Sequence, residues 1–272
     1  MSNETYDRNW LLDFLSLGAW VHQYTATALY HEAQRIPNDK TIAVDDRPRI
    51  QAALRAKILV EVAASFDTLG RLCWSIENRG VIGIAAQFIN IRKDQATEFY
   101  AAVVKLPADI SCVIKKLGLP SLTTLSSLPL GENVEDFLLQ LITRLRDYGN
   151  IYIDHKDTEQ PGHPSHTPSL LRQSYNAIKD GSYVIANAPK LIEPITMDAD
   201  SHAVYIAIRW PQRGDDITTS SLQLVTRSMK QDVVMEDLER IRTVAVIMSN
   251  LCQLLIVLLD RNLLVYEVKP DI

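Results

Sequence analysis

Between positions 144 and 157 the chain reads Arg-Leu-Arg-Asp-Tyr-Gly-Asn-Ile-Tyr-Ile-Asp-His-Lys-Asp. Arg144, Arg146, Asp147, Asn150, Asp154 and His155 thus crowd the end of an otherwise apolar stretch. These are residue types that metal-free RNA cleavage uses. A base must take the proton from a 2′-hydroxyl, and a cation must hold the phosphate as charge builds on it. Histidine suits the first task because its reference pKa, about 6.5, lies near working pH. His155 is the candidate base. Arginine suits the second because its guanidinium forks onto phosphate oxygens. Arg144 and Arg146 are the candidate substrate-binding residues, and Asn150 or Asp154 would orient the imidazole. At about 100° per residue, Arg144, Tyr148, Ile151 and His155 fall on one helix face. Arg146, Asp147, Asn150 and Asp154 fall on another, so polar groups are expected nearly all round this end. The same charges would also make an ordinary solvated helix end, with arginines and aspartates paired at the surface.

Other chemistry finds less support. His155, His163 and His166 with Asp154 and Asp157 could surround a cation. No helix presents them at i, i+4, and no thiol is near, so a solvated loop is the better reading and no metal is expected. His22 and His31 read as partly buried structural histidines. Gly80-Val81-Ile82-Gly83 lacks the Lys-Ser/Thr of a phosphate-binding loop, no Gly-x-Ser-x-Gly elbow occurs, and no cofactor is expected. Cys73, Cys112 and Cys252 are far apart and odd in number, which points to a reducing, cytoplasmic setting rather than a disulfide framework. With 28 basic and 33 acidic residues the net charge is −5, so any affinity for nucleic acid must come from a local patch. Arg92-Lys93, Lys115-Lys116, Arg209 and Arg213 are scattered basic points that read as solvated surface.

The elements that would position the 144–155 segment are long helices. Asn9 to Arg35 carries an apolar stripe through Leu11, Leu15 and Ala19 and, after a slip, Tyr24 and Ala28. Pro37-Asn38-Asp39 ends it. Asp46 before Pro48 opens a second helix to about Asn78, whose stripe is Leu54, Ile58, Val62, Phe66, Leu69, Cys73 and Ile76. Gly80 and Gly83 break it. Shorter helices follow over Ile84 to Lys105 and Ile110 to Leu117, and a strong one from Glu132 to about Asp154. Lys156 to Thr167 is a Pro- and Gly-containing loop. Tyr183 to Ala186 and Ala203 to Trp210 alternate like strands, and Ser221 to Lys230 is read as a short helix. Val233 to Leu259 is apolar nearly all round in its later part and belongs at the centre of a bundle. Its run from Val244 to Leu259 is broken by Ser249, Asn250 and Gln253 and is shorter than the roughly 20 residues a membrane span needs, so no membrane partner is expected. Met1 to Arg8 is polar, and no secretory leader is expected. The hydrophobic fraction of 47% suits a folded domain. The expectation is a mostly α, multi-helix bundle. It would be a single domain over 1–272, with 156–213 as a loop/β insertion and a minor β element in the C-terminal half.

The segment around Asn150 resembles the signature of the HEPN family, the higher-eukaryote and prokaryote nucleotide-binding helical domains. There a helix ends in Arg-Asp-Tyr-Arg-Asn, followed after three residues by His. Arg146-Asp147-Tyr148-Gly149-Asn150 is similar at four of the five places. Two departures stand out: the central arginine falls on Gly149, and His155 arrives one residue late, with Asp154 in its slot. The resemblance implies a HEPN-like bundle acting as a homodimer, with RNA or a nucleotide as partner. Family activity would be metal-independent endoribonuclease action of a defence, toxin or RNA-processing kind. Loss of the arginine argues instead for a non-catalytic binding or scaffold protein. Arg146 lies about 2.5 turns and half a rotation from His155, so it would more naturally serve a neighbouring chain.

Overall fold

Apolar residues recurring at helical spacing wind most of this chain into helices. The computed structural model describes residues 3–80, 82–90, 95–129, 133–153 and 231–266, together with the backbone of three strands. In chain order the helices are α1 (Asn3–Asp13), α2 (Val21–Arg35), α3 (Arg47–Glu77), α4 (Ile84–Ile89), α5 (Gln95–Val103), α6 (Ile110–Leu117), α7 (Leu122–Ser126), α8 (Val134–Tyr152) and α9 (Gln231–Asp260). The protein is mostly α-helical.

The helix expected over Asn9 to Arg35 is interrupted. Phe14–Gly18 form a π-helical turn before α2 begins. A π turn takes more residues per turn than an α turn, which is why the apolar stripe slips there. Beyond it the buried side of α2 is Ala26 and Ala33, while Tyr24 and Ala28, expected on the apolar face, are exposed.

Contacts divide the chain into two units. One comprises Met1–Val21, Ser65–Ser169 and Thr243–Ile272, the other His22–Ala64 and Leu170–Arg242. In the first, the later α3 stripe of Phe66, Leu69, Cys73 and Ile76 is fully buried. Helix α5 lies against α8, and Tyr100 of α5 sits between α8 and α3 without solvent exposure. Its hydroxyl donates to the Phe66 carbonyl at 2.8 Å. Two glycines make room for its ring. A Cβ at Gly70 would stand 2.7 Å from Tyr100 Cε2, and one at Gly149 would stand 3.2 Å from Tyr100 Cδ1. Tyr100→Phe keeps this packing and removes one hydrogen bond. It is expected to cost about 1 kcal/mol in urea unfolding, because the Phe66 carbonyl remains inside a helix.

Two buried charges tie distant parts of this unit together. Asp7, fully buried, accepts from the Ile84 and Ala85 backbone N–H groups at 2.7 and 2.9 Å and from the Tyr266 hydroxyl at 2.7 Å. A carboxylate from α1 thus caps α4, where orphan N–H groups and the helix dipole favour negative charge. Gly83 precedes that cap at φ 87, and a Cβ there would meet the carboxylate at 2.8 Å. Arg79 donates to the carbonyls of Ile76, Leu117, Gly118 and Val265 at 2.7 to 2.9 Å. It ties the C-terminus of α6 to the segment that follows α9.

In the second unit α2 runs along the first half of α3, and Gln51 Nε2 donates to the Ala33 carbonyl at 2.9 Å. The same unit contains β1 (Val184–Ala186), β2 (Ala203–Trp210) and β3 (Ser221–Ser228), antiparallel in the order β1-β2-β3. Ile206 is registered with Val184 on one side and Val225 on the other. The short helix expected at Ser221 to Lys230 is therefore strand over most of its length. Leu222 and Leu224 alternate with Ser221 and Gln223, and Val225 and Thr226 are β-branched, a period-2 pattern that suits a strand. Much of the expected 156–213 insertion lies outside the described residues.

Among the described residues one helix, α9, is long and apolar enough to cross a membrane by length and composition, and 61% of its most apolar 18-residue window is buried inside the chain. Ile241, Val244, Leu251, Leu255 and Leu258 have no more than a trace of exposure, the condition of a central helix.

Candidate functional site

The segment singled out by its chemistry is the C-terminal half of α8. Asn133 starts this helix by accepting from the Glu135 N–H, and Glu135 and Asp136 complement the helix dipole in its first turn. Leu138, Leu141, Ile142 and Leu145 bury one side completely. That side continues to the end: Tyr148, Gly149 and Tyr152 are buried as well. Tyr148 stacks on Phe66 with ring centroids 4.5 Å apart, and Tyr152 lies 5.3 Å from the Tyr100 ring. Polar groups therefore do not surround this end of the helix. Three aromatic or glycine positions at i, i+1 and i+4 keep the apolar face intact beneath the motif.

The candidate residues occupy the remaining arc. Arg144, Asp147 and Asn150 are exposed, and Arg144 Nη1 stands 4.0 Å from Asp147 Oδ2 with both side chains half in solvent. Such a pair contributes about 0–1 kcal/mol and leaves both groups accessible. Arg146 is half-buried, and its Nε is shielded without a hydrogen-bond partner among the described residues. Arg146 and Asn150 are one turn apart on the same side, while Arg144 stands at the opposite edge of the arc. Asp154 and His155, the proposed orienting group and base, lie outside the described residues, as do Asp157, His163 and His166 of the alternative cation cluster. Among the described residues no group of three metal-ligating side chains is assembled.

The end of α8 is set by a residue that sequence reading missed. Tyr152 donates its hydroxyl to Asp67 Oδ1 at 2.8 Å, and the Ile153 N–H closes on the Gly149 carbonyl at 2.8 Å. Asp67 belongs to α3, as does Arg71 one turn later, whose Nη1 is 4.0 Å from Asp67 Oδ2. Arg71 Nη2 donates to the Phe88 carbonyl at 3.0 Å, and the guanidinium lies 4.9 Å above the Phe88 ring. Phe88 in turn meets Trp10 at 5.0 Å. A signal for this pair existed: an Asp and an Arg at i, i+4 flanking the stripe of a helix that must be buried on most sides.

The remaining titratable groups are occupied differently. His22 Nδ1 is 2.7 Å from Glu61 Oε2 and half-buried, whereas His31, expected to be partly buried, is exposed against the Tyr30 ring. Lys116 Nζ pairs with Glu77 Oε1 at 2.6 Å. Burial raises the Cys73 thiol and pushes the Cys252 thiol up to about 12, which favours the protonated form of both at neutral pH. No protein-family model matches this chain, and neither does any curated protein or solved structure.

Proposed function

We propose that this chain is a HEPN-like helical protein that acts as a homodimer and binds its target, RNA or a nucleotide, without cutting it. Gly149 carries this reading. It occupies the place of the family's central arginine, and a single Cβ there would stand 2.6 Å from Val104 Cγ1 and 3.2 Å from the Tyr100 ring. The position is a seam of close helix packing on the side of α8 away from Arg144, Asp147 and Asn150. A helix built on that seam has exchanged a phosphate holder for a core contact. The exposed arc of arginine, aspartate and asparagine remains suited to recognition, since phosphate contacts need accessible cations and not a catalytic base. The free buried thiols of Cys73 and Cys252 support a reducing, cytoplasmic setting.

A metal-independent endoribonuclease is the second reading. It is favoured by Arg146 and Asn150 sharing one side of α8 a few residues before His155. The two readings separate in one assay. Labelled single-stranded RNA incubated with the protein in chelator should remain intact, and His155→Ala should behave the same. Cleavage that disappears in His155→Ala would establish the second reading instead. Sedimentation should give twice the 30.7 kDa chain mass, and a monomer at micromolar concentration would overturn the homodimer.

A further inference from the structure

We propose that Arg71 is the phosphate holder that α8 lacks, binding a phosphate group of RNA or of a free nucleotide beside the end of that helix. The inference rests on the RNA- or nucleotide-binding reading above and names the residue that would meet the ligand. Its basis is a contrast between two withdrawn guanidiniums of the same unit. Arg79 spends four of its five N–H donors on backbone carbonyls. Among the described residues Arg71 makes a single hydrogen bond, to the Phe88 carbonyl, although its side chain is only 19% exposed. Its Nε is shielded and has no hydrogen-bond partner among the described residues. The separation of 4.0 Å from Asp67 gives attraction but is too long for a hydrogen bond.

A guanidinium offers five N–H donors, and a shielded Nε–H left unmet is costly unless something else supplies an acceptor. Phosphate is the matching group, with several oxygens that the planar fork engages two at a time. The surroundings hold the fork ready. The Phe88 ring takes the face of the guanidinium by cation–π attraction and the Phe88 carbonyl takes an Nη2 N–H, so Nε and Nη1 are left without a hydrogen-bond partner among the described residues. Tyr152 occupies Asp67 Oδ1, which keeps that carboxylate from closing onto Arg71 as a bidentate partner. The same Tyr152–Asp67 link places the pair against α8 two residues beyond Asn150.

A purely structural Arg71, bracing the end of α4 through Phe88, makes different predictions for its neighbour. Arg71→Met should weaken binding of a labelled single-stranded RNA 12-mer at least tenfold, across sequences, in fluorescence anisotropy. It should also flatten the dependence of log K on log salt by about 0.7, the share of one phosphate on a single strand. Asp67→Asn retains an oxygen for Tyr152 but removes a competing negative charge, so it should tighten binding about threefold. If Asp67→Asn weakens binding as much as Arg71→Met does, or Arg71→Met leaves affinity and salt slope unchanged, the proposal is overturned. A reading without any variant guards against misfolding: titrating the wild-type chain with inorganic phosphate, then AMP, should shift the Arg71 Nε–Hε NMR resonance. RNA binding with an unmoved resonance sinks the Arg71 assignment and leaves the binding function intact. A resonance that moves with AMP in a protein that ignores RNA supports the site and identifies a free nucleotide as its source. No RNA binding and no shift defeats both.

Discussion

Gly149→Arg, which would place an arginine where the HEPN signature that this segment resembles has one, is expected to destabilise the chain by about 3 kcal/mol or more and to create no ribonuclease. The first side-chain carbon alone falls 2.6 Å from Val104 Cγ1, a distance at which α5 must move. Overpacking of one or two methylenes costs about 1–3 kcal/mol in a well-filled core. An arginine adds a guanidinium that must reach water past Tyr100 or remain buried without partners. Gly149→Ala separates the two costs. It gains about 1 kcal/mol of helix propensity over glycine and still meets the Val104 methyl, so it should lose less than half of what arginine loses. Urea unfolding monitored by far-ultraviolet circular dichroism measures both. A folded, equally stable Gly149→Arg protein would show that the seam is open, and would remove the main support for a binding rather than cutting function.

Arg79→Met is the second large effect. The substitution preserves much of the aliphatic stem but strands the carbonyls of Ile76, Leu117, Gly118 and Val265. Those of Leu117 and Gly118 end α6, so no later turn of that helix can satisfy them. A buried acceptor left unmet costs about 1–3 kcal/mol, and local water entry recovers some of it. The expected loss is about 4 kcal/mol. Hydrogen exchange adds a spatial test: protection should fall first in α6 and around residues 263–266, because Arg79 holds both. Tyr266→Phe, which removes only the hydroxyl bond to Asp7, should cost about 1–2 kcal/mol. If Arg79→Met is no more costly than Tyr266→Phe, the four carbonyls have other partners and Arg79 is not the tie.

Helix identity was legible in the chain because it depends on spacing. Ile58, Val62, Phe66, Leu69, Cys73 and Ile76 recur at three and four residues, and each is buried. The apolarity of the later part of α9 likewise announced a helix that is buried over most of its turns there. The candidate residues of α8 were legible as polar types at the end of an apolar helix, and Arg144, Asp147 and Asn150 do face outward. What spacing did not reveal was the direction of each polar neighbour. Tyr148 looked like a member of a reactive face because residues at i and i+4 share a side, but its ring prefers Phe66 to water.

By itself, then, the sequence determined the long helices and most of their apolar faces, and that charge gathers at the end of α8. These are local properties, carried by side chains within a few turns of one another. Only the tertiary structure decided three things. It decided that Gly149 is a packing seam rather than a gap in a motif, that Asp7 caps a helix some eighty residues away, and that Arg71 and Arg79 differ in what their donors reach. Each depends on partners distant in the chain. Burial of a charge, or the absence of a Cβ, has meaning only once those partners are in place.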